Sequence, residues 1–415
     1  MMRAGMAGKS IPSRIKCKGK KPRSPRGRDA VEKLSRRTFL AAGAAVGAPS
    51  AGAATVANPE GRPKTDLIRV GAIALGDNSH LNYDIWAPMI NPDAPNAWPV
   101  GRTTRMLITH CWDSRPELAE AFARKFRCTA VKTYDGMVGK VDGMIFGGFN
   151  EVKWWPRLAR PYLEAGIPCF LNRPFAYSMK DAKEIVELSK KHNAPILCTD
   201  EREYIQQAIV ARAKVEELLA QKRTILGGHS SNAAGEWSQH GVHGLYFLLA
   251  VFGLDVEQAG YQADGWWREK TPTATVQSYG QLTLQYRGVK IEGKGESNQP
   301  FVVSQLQTWP RADITLRLYH DLGWWDIAHE HTQGDGGFNR HFYLFFPTVL
   351  AMQRMFETRT MQWSHEYILQ KTKIFLTAFK SHLEHRGALI RVDDLPDDWE
   401  APSPYADWID ERIFG

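Results

Sequence analysis

The chain has 415 residues, 43 % hydrophobic and 24 % charged, which is the composition of a globular protein with room for two domains and excludes a mostly disordered, collagen-like or coiled-coil chain. Its formal charge of +8 sits at the front, where residues 1–53 hold 13 Lys and Arg against 2 Asp and Glu, while residues 54–415 carry a net −3. Phosphate neutralisation needs basic excess on the folded part, so nucleic acid is not an expected partner.

In the front segment Ser35-Arg36-Arg37-Thr38-Phe39-Leu40 runs into the weakly apolar stretch 41–48 and the small residues Ala51-Gly52-Ala53. Paired arginines, a nearby Phe-Leu, a mild apolar run and a small-residue cleavage site resemble a twin-arginine export signal over residues 1–53. The resemblance implies the twin-arginine translocation machinery as a partner and a periplasmic or otherwise exported location. The apolar run is far short of the roughly 20 residues that cross a bilayer, so no membrane span is expected. Residues 54–65 read as a linker.

From residue 66 to 204 apolar strand patterns alternate with amphipathic helices. Strands are expected at 67–75, 106–112, 143–146, 168–171 and 195–198, and helices at 115–126, 155–165 and 179–192. This alternation predicts a doubly wound parallel sheet, the Rossmann arrangement. From 205 to 390 the rhythm changes: helices are expected at 206–220, 242–252, 342–357 and 364–386. Period-two strands at 277–286, 289–295, 302–309 and 313–319 predict an open, mostly antiparallel sheet in a C-terminal α/β substrate and oligomerisation domain. Residues 391–415 read as a tail. Cys111, Cys128, Cys169 and Cys198 form no C-x-x-C pair, so no metal site is expected.

Doubly wound sheets bind ligands where their strands end, so the residues after each strand are the site candidates. Ala74-Leu75-Gly76-Asp77-Asn78-Ser79 follows the first strand and keeps one of three fingerprint glycines, Gly76, the position nearest the phosphates. Asp113 follows the second strand, 37 residues past Gly76, where a carboxylate would accept the ribose hydroxyls of NAD and disfavour NADP.

Together these pieces resemble the glucose-fructose oxidoreductase and inositol dehydrogenase (Gfo/Idh/MocA) family. The matching segments are Cys111-Trp112-Asp113, Val141-Asp142-Gly143-Met144-Ile145, Ala165-Gly166-Ile167-Pro168 with Asn172-Arg173-Pro174, Gly241-Val242-His243 and Gly336-Gly337-Phe338. The resemblance implies bound NAD or NADP, held by Ala74, Gly76, Asp77, Asn78, Ser79, Asp113, Asn150, Arg173 and Pro174. It also implies hydride transfer on a sugar or polyol, and a homo-oligomer.

The family's Lys of Glu-Lys-Pro is Arg173 here, and the Asp of its Asp-x-x-x-His is Gln239. Arginine donates hydrogen bonds but shuttles no proton, and glutamine takes none, so His243 is the expected acid/base. His240, three residues earlier on the same helical face, is its candidate partner. His320, His329 and His331 with Glu330, and the pairs Trp154-Trp155, Trp266-Trp267 and Trp324-Trp325, are further substrate-pocket candidates. An NAD-dependent glycoside hydrolase and a catalytically degenerate sugar-binding paralogue share these features and stand as alternatives.

Overall fold

Strands that are apolar on both faces need cover on both sides, and the first sheet obtains it. Strands β1 (Ile68–Ile73), β2 (Met106–Trp112), β3 (Thr129–Ala130), β4 (Gly143–Phe146), β5 (Cys169–Leu171) and β6 (Ile196–Leu197) lie in the order β3-β2-β1-β4-β5-β6, all parallel. β4 and β5 are buried throughout, as a run covered by helices on both faces requires. Winding reverses between β1 and β4, so the crevice opens beyond the carboxyl ends of those two strands.

The structure is a computed structural model describing residues 67–414, apart from 77–78, 82–84, 92–103, 150, 234–236, 264–279, 292–293, 309–313, 328–337 and 404–406. The export segment and linker, Asp77, Asn78, Asn150, Trp266, Trp267, His329, Glu330, His331 and the Gly336-Gly337 pair lie outside the described residues.

The connecting helices are α1 (Trp86–Ile90), α2 (Pro116–Phe126), α3 (Trp155–Glu164) and α4 (Met179–His192). Local chemistry fixes their ends. Pro116 opens α2 at a position that needs no N–H, and the Ser178 hydroxyl accepts the Asp181 N–H at 3.0 Å to cap α4, which stops at the left-handed Asn193. Among the described residues past β1, no helix starts at the fingerprint loop. Ser79 pairs with Gly148 across the end of β4, the His80 N–H donates to the Gly147 carbonyl at 3.1 Å, and α1 begins at Trp86 and is five residues long.

Helices α5 (Gln206–Ala220) and α6 (Val242–Phe252) lead into the second sheet, and both have the bounds expected from the sequence. Its strands are β7 (Ile225–Ala233), β8 (Val256–Ala263), β9 (Gly280–Tyr286), β12 (Phe301–Thr308), β13 (Thr315–His320), β14 (Gly323–Asp326) and β15 (Ile390–Arg391). They run β14-β13-β7-β12-β9-β8-β15, antiparallel except for β7 beside β12; β10 (Val289–Ile291) and β11 (Gly295–Ser297) form a separate hairpin. Helices α7 (Phe338–Thr358) and α8 (His365–Glu384) follow, and α8 packs on β8. One sheet face buries Leu282, Leu284, Val303 and Leu318, while the other leaves Val302, Leu306, Tyr319 and Trp324 exposed.

Of residues 391–415, expected as a tail, the described ones contribute to the fold. β15 extends the sheet edge, the Ala401 N–H donates to the Tyr177 carbonyl at 2.8 Å, and Val392, Ala401 and Ile409 are buried. Their apolar spacing gives the segment a core contribution that its position at the chain end hides. Among the described residues no helix is long and apolar enough to cross a membrane.

Candidate active site

Arg173, Asp200 and His243 come from three different elements and meet beyond the carboxyl ends of β5 and β6. Asn172 ends β5 and ties it to β4, donating Nδ2 to the Gly147 carbonyl at 2.8 Å while its Oδ1 accepts the Arg173 N–H at 2.9 Å. That clamp points Arg173, followed by a cis bond to Pro174, into the interior, where its side chain is 2 % exposed. Three residues past β6, Asp200 caps a 3₁₀ turn: Oδ1 accepts the Arg202 N–H at 2.8 Å, and Oδ2 accepts Arg173 Nε at 3.1 Å and His243 Nδ1 at 2.6 Å. His243 is delivered by the first turn of α6, which follows a π-turn over Trp237–Gly241. Such turns re-aim side chains and are frequent at functional sites.

The geometry fixes the tautomer. An ionised carboxylate only accepts, so His243 Nδ1 carries the proton, and the lone pair on Nε2 accepts Arg173 Nη2 at 3.0 Å. Burial alone would raise the Asp200 carboxyl, but His243 and Arg173 outweigh it and hold it below the usual carboxylate range. His80 reaches the same cluster from the β1 loop. Its two ring nitrogens face donors, Asn172 Nδ2 at 3.3 Å and Arg173 Nη2 at 3.4 Å, and its ring packs edge-on against Trp86 and Phe345. Burial, then the Arg173 charge, push its pKa well below the ordinary histidine value. His240 lies with its ring 5.7 Å from that of His243, and burial and His243 push it down too. Gln239 lies on the π-turn, and its side chain is outside the described residues.

Several buried polar atoms here have no partner among the described residues: Arg173 Nη1, both amide atoms of Asn232 on β7, and Gln307 Oε1 on β12. Asn232 and Gln307 underlie the start of α6. A Cβ on Gly244 would come 2.9 Å from Asn232 Nδ2, and one on Gly241 would come 3.0 Å from Gln307 Oε1. Orphaned donors and acceptors beside the His243 turn fit a ligand bearing several hydroxyl groups.

At the other end of the crevice the predicted cofactor residues have a different arrangement. Ala74 holds a left-handed φ of 63° where the fingerprint would place glycine. Ser79 is buried and its hydroxyl accepts the Leu81 N–H at 3.2 Å. Asp113 does not present its carboxylate. Its side chain is fully buried, with Oδ2 accepting the Leu75 N–H at 2.7 Å and Oδ1 accepting the N–H and Nε–H of Arg115 at 3.1 and 3.2 Å. It organises the β1 loop instead of facing a ribose. Arg115 Nη2 lies against Gly76, 2.3 Å from where a Cβ would stand.

The sequence reading missed Asp200, His80, Asn232 and Glu201. For Asp200 a signal was present, a carboxylate just past a strand end. Asp200, Glu201 and His243 offer ligand atoms within 4.8 Å of one another, a grouping that no sequence spacing announced. The Arg173 guanidinium, about 3 Å from two of them, already supplies the positive charge. His320 closes the β13–β14 hairpin, Trp154 and Trp155 are core residues, and Trp324 is 64 % exposed on the open sheet face.

Residues 93–199 match the model of the Gfo/Idh/MocA oxidoreductase family, an NAD-binding Rossmann fold. No curated protein matches the chain. Scyllo-inositol dehydrogenase from Lactobacillus casei, with bound NAD(H) and scyllo-inositol, shares the fold at 13 % identity and a TM-score of 0.59, over 79 % of this chain and 100 % of that one. Myo-inositol 2-dehydrogenase from Lactobacillus plantarum is similar at 13 % identity and 0.56, over 79 % and 99 %. An oxidoreductase from Agrobacterium radiobacter in complex with NAD+, L-tartaric acid and magnesium is similar at 13 % and 0.55, over 79 % and 99 %. At these identities the likeness is one of fold: a parallel Rossmann sheet followed by a second, mixed sheet.

Proposed function

We propose that the protein is a Gfo/Idh/MocA-type dehydrogenase that uses NAD or NADP to oxidise a secondary alcohol of a polyol or sugar-like substrate, or to reduce the matching ketone. The observation that carries this reading is the buried Asp200–His243 hydrogen bond, with Arg173 against the other ring nitrogen and Arg173 Nη1 unpartnered beside it. Two features support a dinucleotide in the crevice: the orphaned guanidinium nitrogen at its inner end, and Gly76, whose close neighbours at the Cβ position are the end of the Arg115 side chain and Leu118. Gly76 and Arg115 would hold its phosphates and ribose, and Arg173 its inner end. When bound, the nicotinamide supplies the two-electron acceptor for the hydride.

The chain's own residues handle the proton. Arg173 Nη1 donates to the substrate oxygen, and His243 Nε2 takes the hydroxyl proton once that hydroxyl displaces Arg173 Nη2. The imidazolium so formed lies 2.6 Å from the Asp200 carboxylate, which stabilises it without taking the proton. Orphaned Asn232 and Gln307 supply further hydroxyl contacts. Because Asp113 points inward and Arg115 lies at Gly76, NADP is proposed as an acceptable cofactor beside NAD.

The front segment supports export by the twin-arginine route, since Arg36-Arg37 and Phe39-Leu40 precede a mild apolar run. The exposed Val302, Leu306, Tyr319 and Trp324 on one sheet face support a homo-oligomer. Native mass spectrometry of the purified chain, followed by a polyol panel read at the nicotinamide absorbance, tests the central reading. Bound or bindable NAD(P) with turnover of a polyol is the expected result. A chain that binds neither nucleotide overturns it, and release of an aglycone from glycosides without net redox change replaces it with the glycosidase reading.

A further inference from the structure

Directly behind Asp200 lies a second buried ion pair that the proton-handling scheme does not use. Lys371, on α8, is 1 % exposed and donates to both carboxylate oxygens of Glu203 at 3.2 Å and to the Cys198 carbonyl at 3.1 Å. Its ammonium also lies 4.2 Å above the Tyr246 ring, and Tyr246 is on α6, one turn past His243. Glu203 Oε2 in turn accepts the Thr199 hydroxyl at 2.6 Å and the Asp200 N–H at 2.8 Å, completing a reciprocal cap with Asp200.

We propose that Lys371 and Glu203 are positioning residues for the proton-handling pair: they fix the backbone and side chain of Asp200 so that Oδ2 stays aimed at His243 Nδ1. The inference rests on the Asp200–His243 pair proposed above. Glu203 holds Asp200 from the main-chain side, by its N–H, while Asp200 Oδ1 is held by the Arg202 N–H within the same turn. With both ends fixed, Oδ2 has one direction left. Lys371 keeps Glu203 an acceptor. Burial pushes the Glu203 carboxyl up, and Lys371 opposes this; a protonated Glu203 would lose acceptor capacity that the Thr199 hydroxyl and the Asp200 N–H use. The cation comes from the C-terminal helix α8 and the carboxylate from the turn after β6, so the pair also links the element that carries Asp200 to the helix packed on the second sheet.

The test reads the His243–Asp200 proton directly. A histidine N–H bonded to a carboxylate at short distance gives a far-downfield proton resonance, assigned here by its loss in His243→Ala. Glu203→Gln, Lys371→Met and the double variant are compared with the wild-type full chain, with no nucleotide added and folding checked by tryptophan emission. The groups facing His243 are Asp200 and Glu201 after β6, Arg173 after β5, His240 on the π-turn and His80 from the β1 loop; all are left intact.

Positioning predicts that both single variants lose the resonance or move it upfield, and that the double variant does no more than the larger single, since one device is removed in each case. An unchanged resonance in folded Glu203→Gln and Lys371→Met overturns the proposal and leaves the pair as packing. Shifts of opposite sign in the two singles also overturn it, because they report the removed charges alone. Should Lys371→Met not fold, Glu203→Gln decides the outcome. A wild-type chain without a His243-dependent resonance removes the Asp200–His243 pair itself and the inference with it. Failure to bind nucleotide would leave this measurement untouched.

Discussion

The two ends of the crevice are built in opposite ways. Beyond β5 and β6, Arg173, Asp200, Glu201 and His243 are all buried, and their hydrogen bonds specify one tautomer of the histidine. Beyond β1 and β2 the fingerprint is reduced to Gly76, a left-handed alanine stands at its first position, no helix starts there, and the acidic residue is turned inward. The family match crosses this division: it begins beyond the β1 loop, takes in Asp113 and Arg173, and stops one residue short of Asp200. Under the proposed function, the difference teaches that proton handling and phosphate holding would be separable tasks. A proton must be placed to within tenths of an ångström, so that end is over-determined, whereas a diphosphate accepts many arrangements of donors and positive charge.

The largest way to break this comparison is to remove the base. His243→Ala and Asp200→Asn should each lower kcat/KM by about 10²–10⁴-fold, the usual worth of a positioned acid/base. Nucleotide affinity, measured by tryptophan quenching, should change less than about 3-fold, because neither residue is at the phosphate end. Full turnover in His243→Ala would move the base elsewhere.

Removing Arg173 is expected to unfold as well as inactivate. Arg173→Ala leaves the buried Asp200 carboxylate without its guanidinium and should cost about 3–5 kcal/mol of stability, read as a lowered midpoint in urea unfolding. Arg173→Lys keeps a charge but cannot reach Asp200 Oδ2 and His243 Nε2 together from two nitrogens of one planar group. It should retain most of the stability and lose activity, which separates the clamp from the charge.

The same division decides what was legible in the sequence. Helix α4 was readable to the residue because its stops are local: Ser178 caps it and Asn193 ends it. His243 and Arg173 were readable because they sit in short motifs. Asp200 carried only its place just past a strand end, since it meets His243 across 43 positions and the motif slot for a carboxylate is filled by Gln239. Asp113 was read by its place after a strand, and the place was right. Its partners, the Leu75 N–H and Arg115, are set by how the β1 loop closes, and no pattern in the chain encodes that closure. The C-terminal segment was misread for the same reason: its partners, Tyr177 and Ser114, are more than two hundred residues away.

At the phosphate end the expected effects are smaller. Arg115→Ala should weaken NADP by about 10-fold, in line with loss of a hydrogen bond between charged groups, and weaken NAD by less. Isothermal titration with both nucleotides checks this. Equal losses for the two would place Arg115 on the shared diphosphate, and no loss would show that it only fills the loop.

His80 is where the two ends touch, and its titration gives the smallest and most specific effect. Facing it are Asn172 and Arg173 from the end of β5, His240 and His243 from the α6 side, and Asp200 from beyond β6; the first two present donors, so the folded ring has no place for a second proton. The folded pKa is therefore depressed while the unfolded one stays near about 6.5. Below that pH the unfolded chain binds the proton and the folded chain does not, so stability falls as pH drops through the window under about 6.5 and is flat above it. The slope is at most about 1.4 kcal/mol per pH unit for each such histidine, and His240 adds to it in the same direction. Glu203, raised by burial, acts with the opposite sign in the window that opens upward from the ordinary carboxylate pKa. His110 and His365, also lowered by burial, add in the same direction as His80. Urea unfolding at pH 7.5, 6.5 and 5.5 should thus show a loss mainly in the last step, made smaller in His80→Asn. An equal loss in that variant would mean that the β1 loop does not hold His80 against Arg173, and that the two ends of the crevice are independent in stability as well as in task.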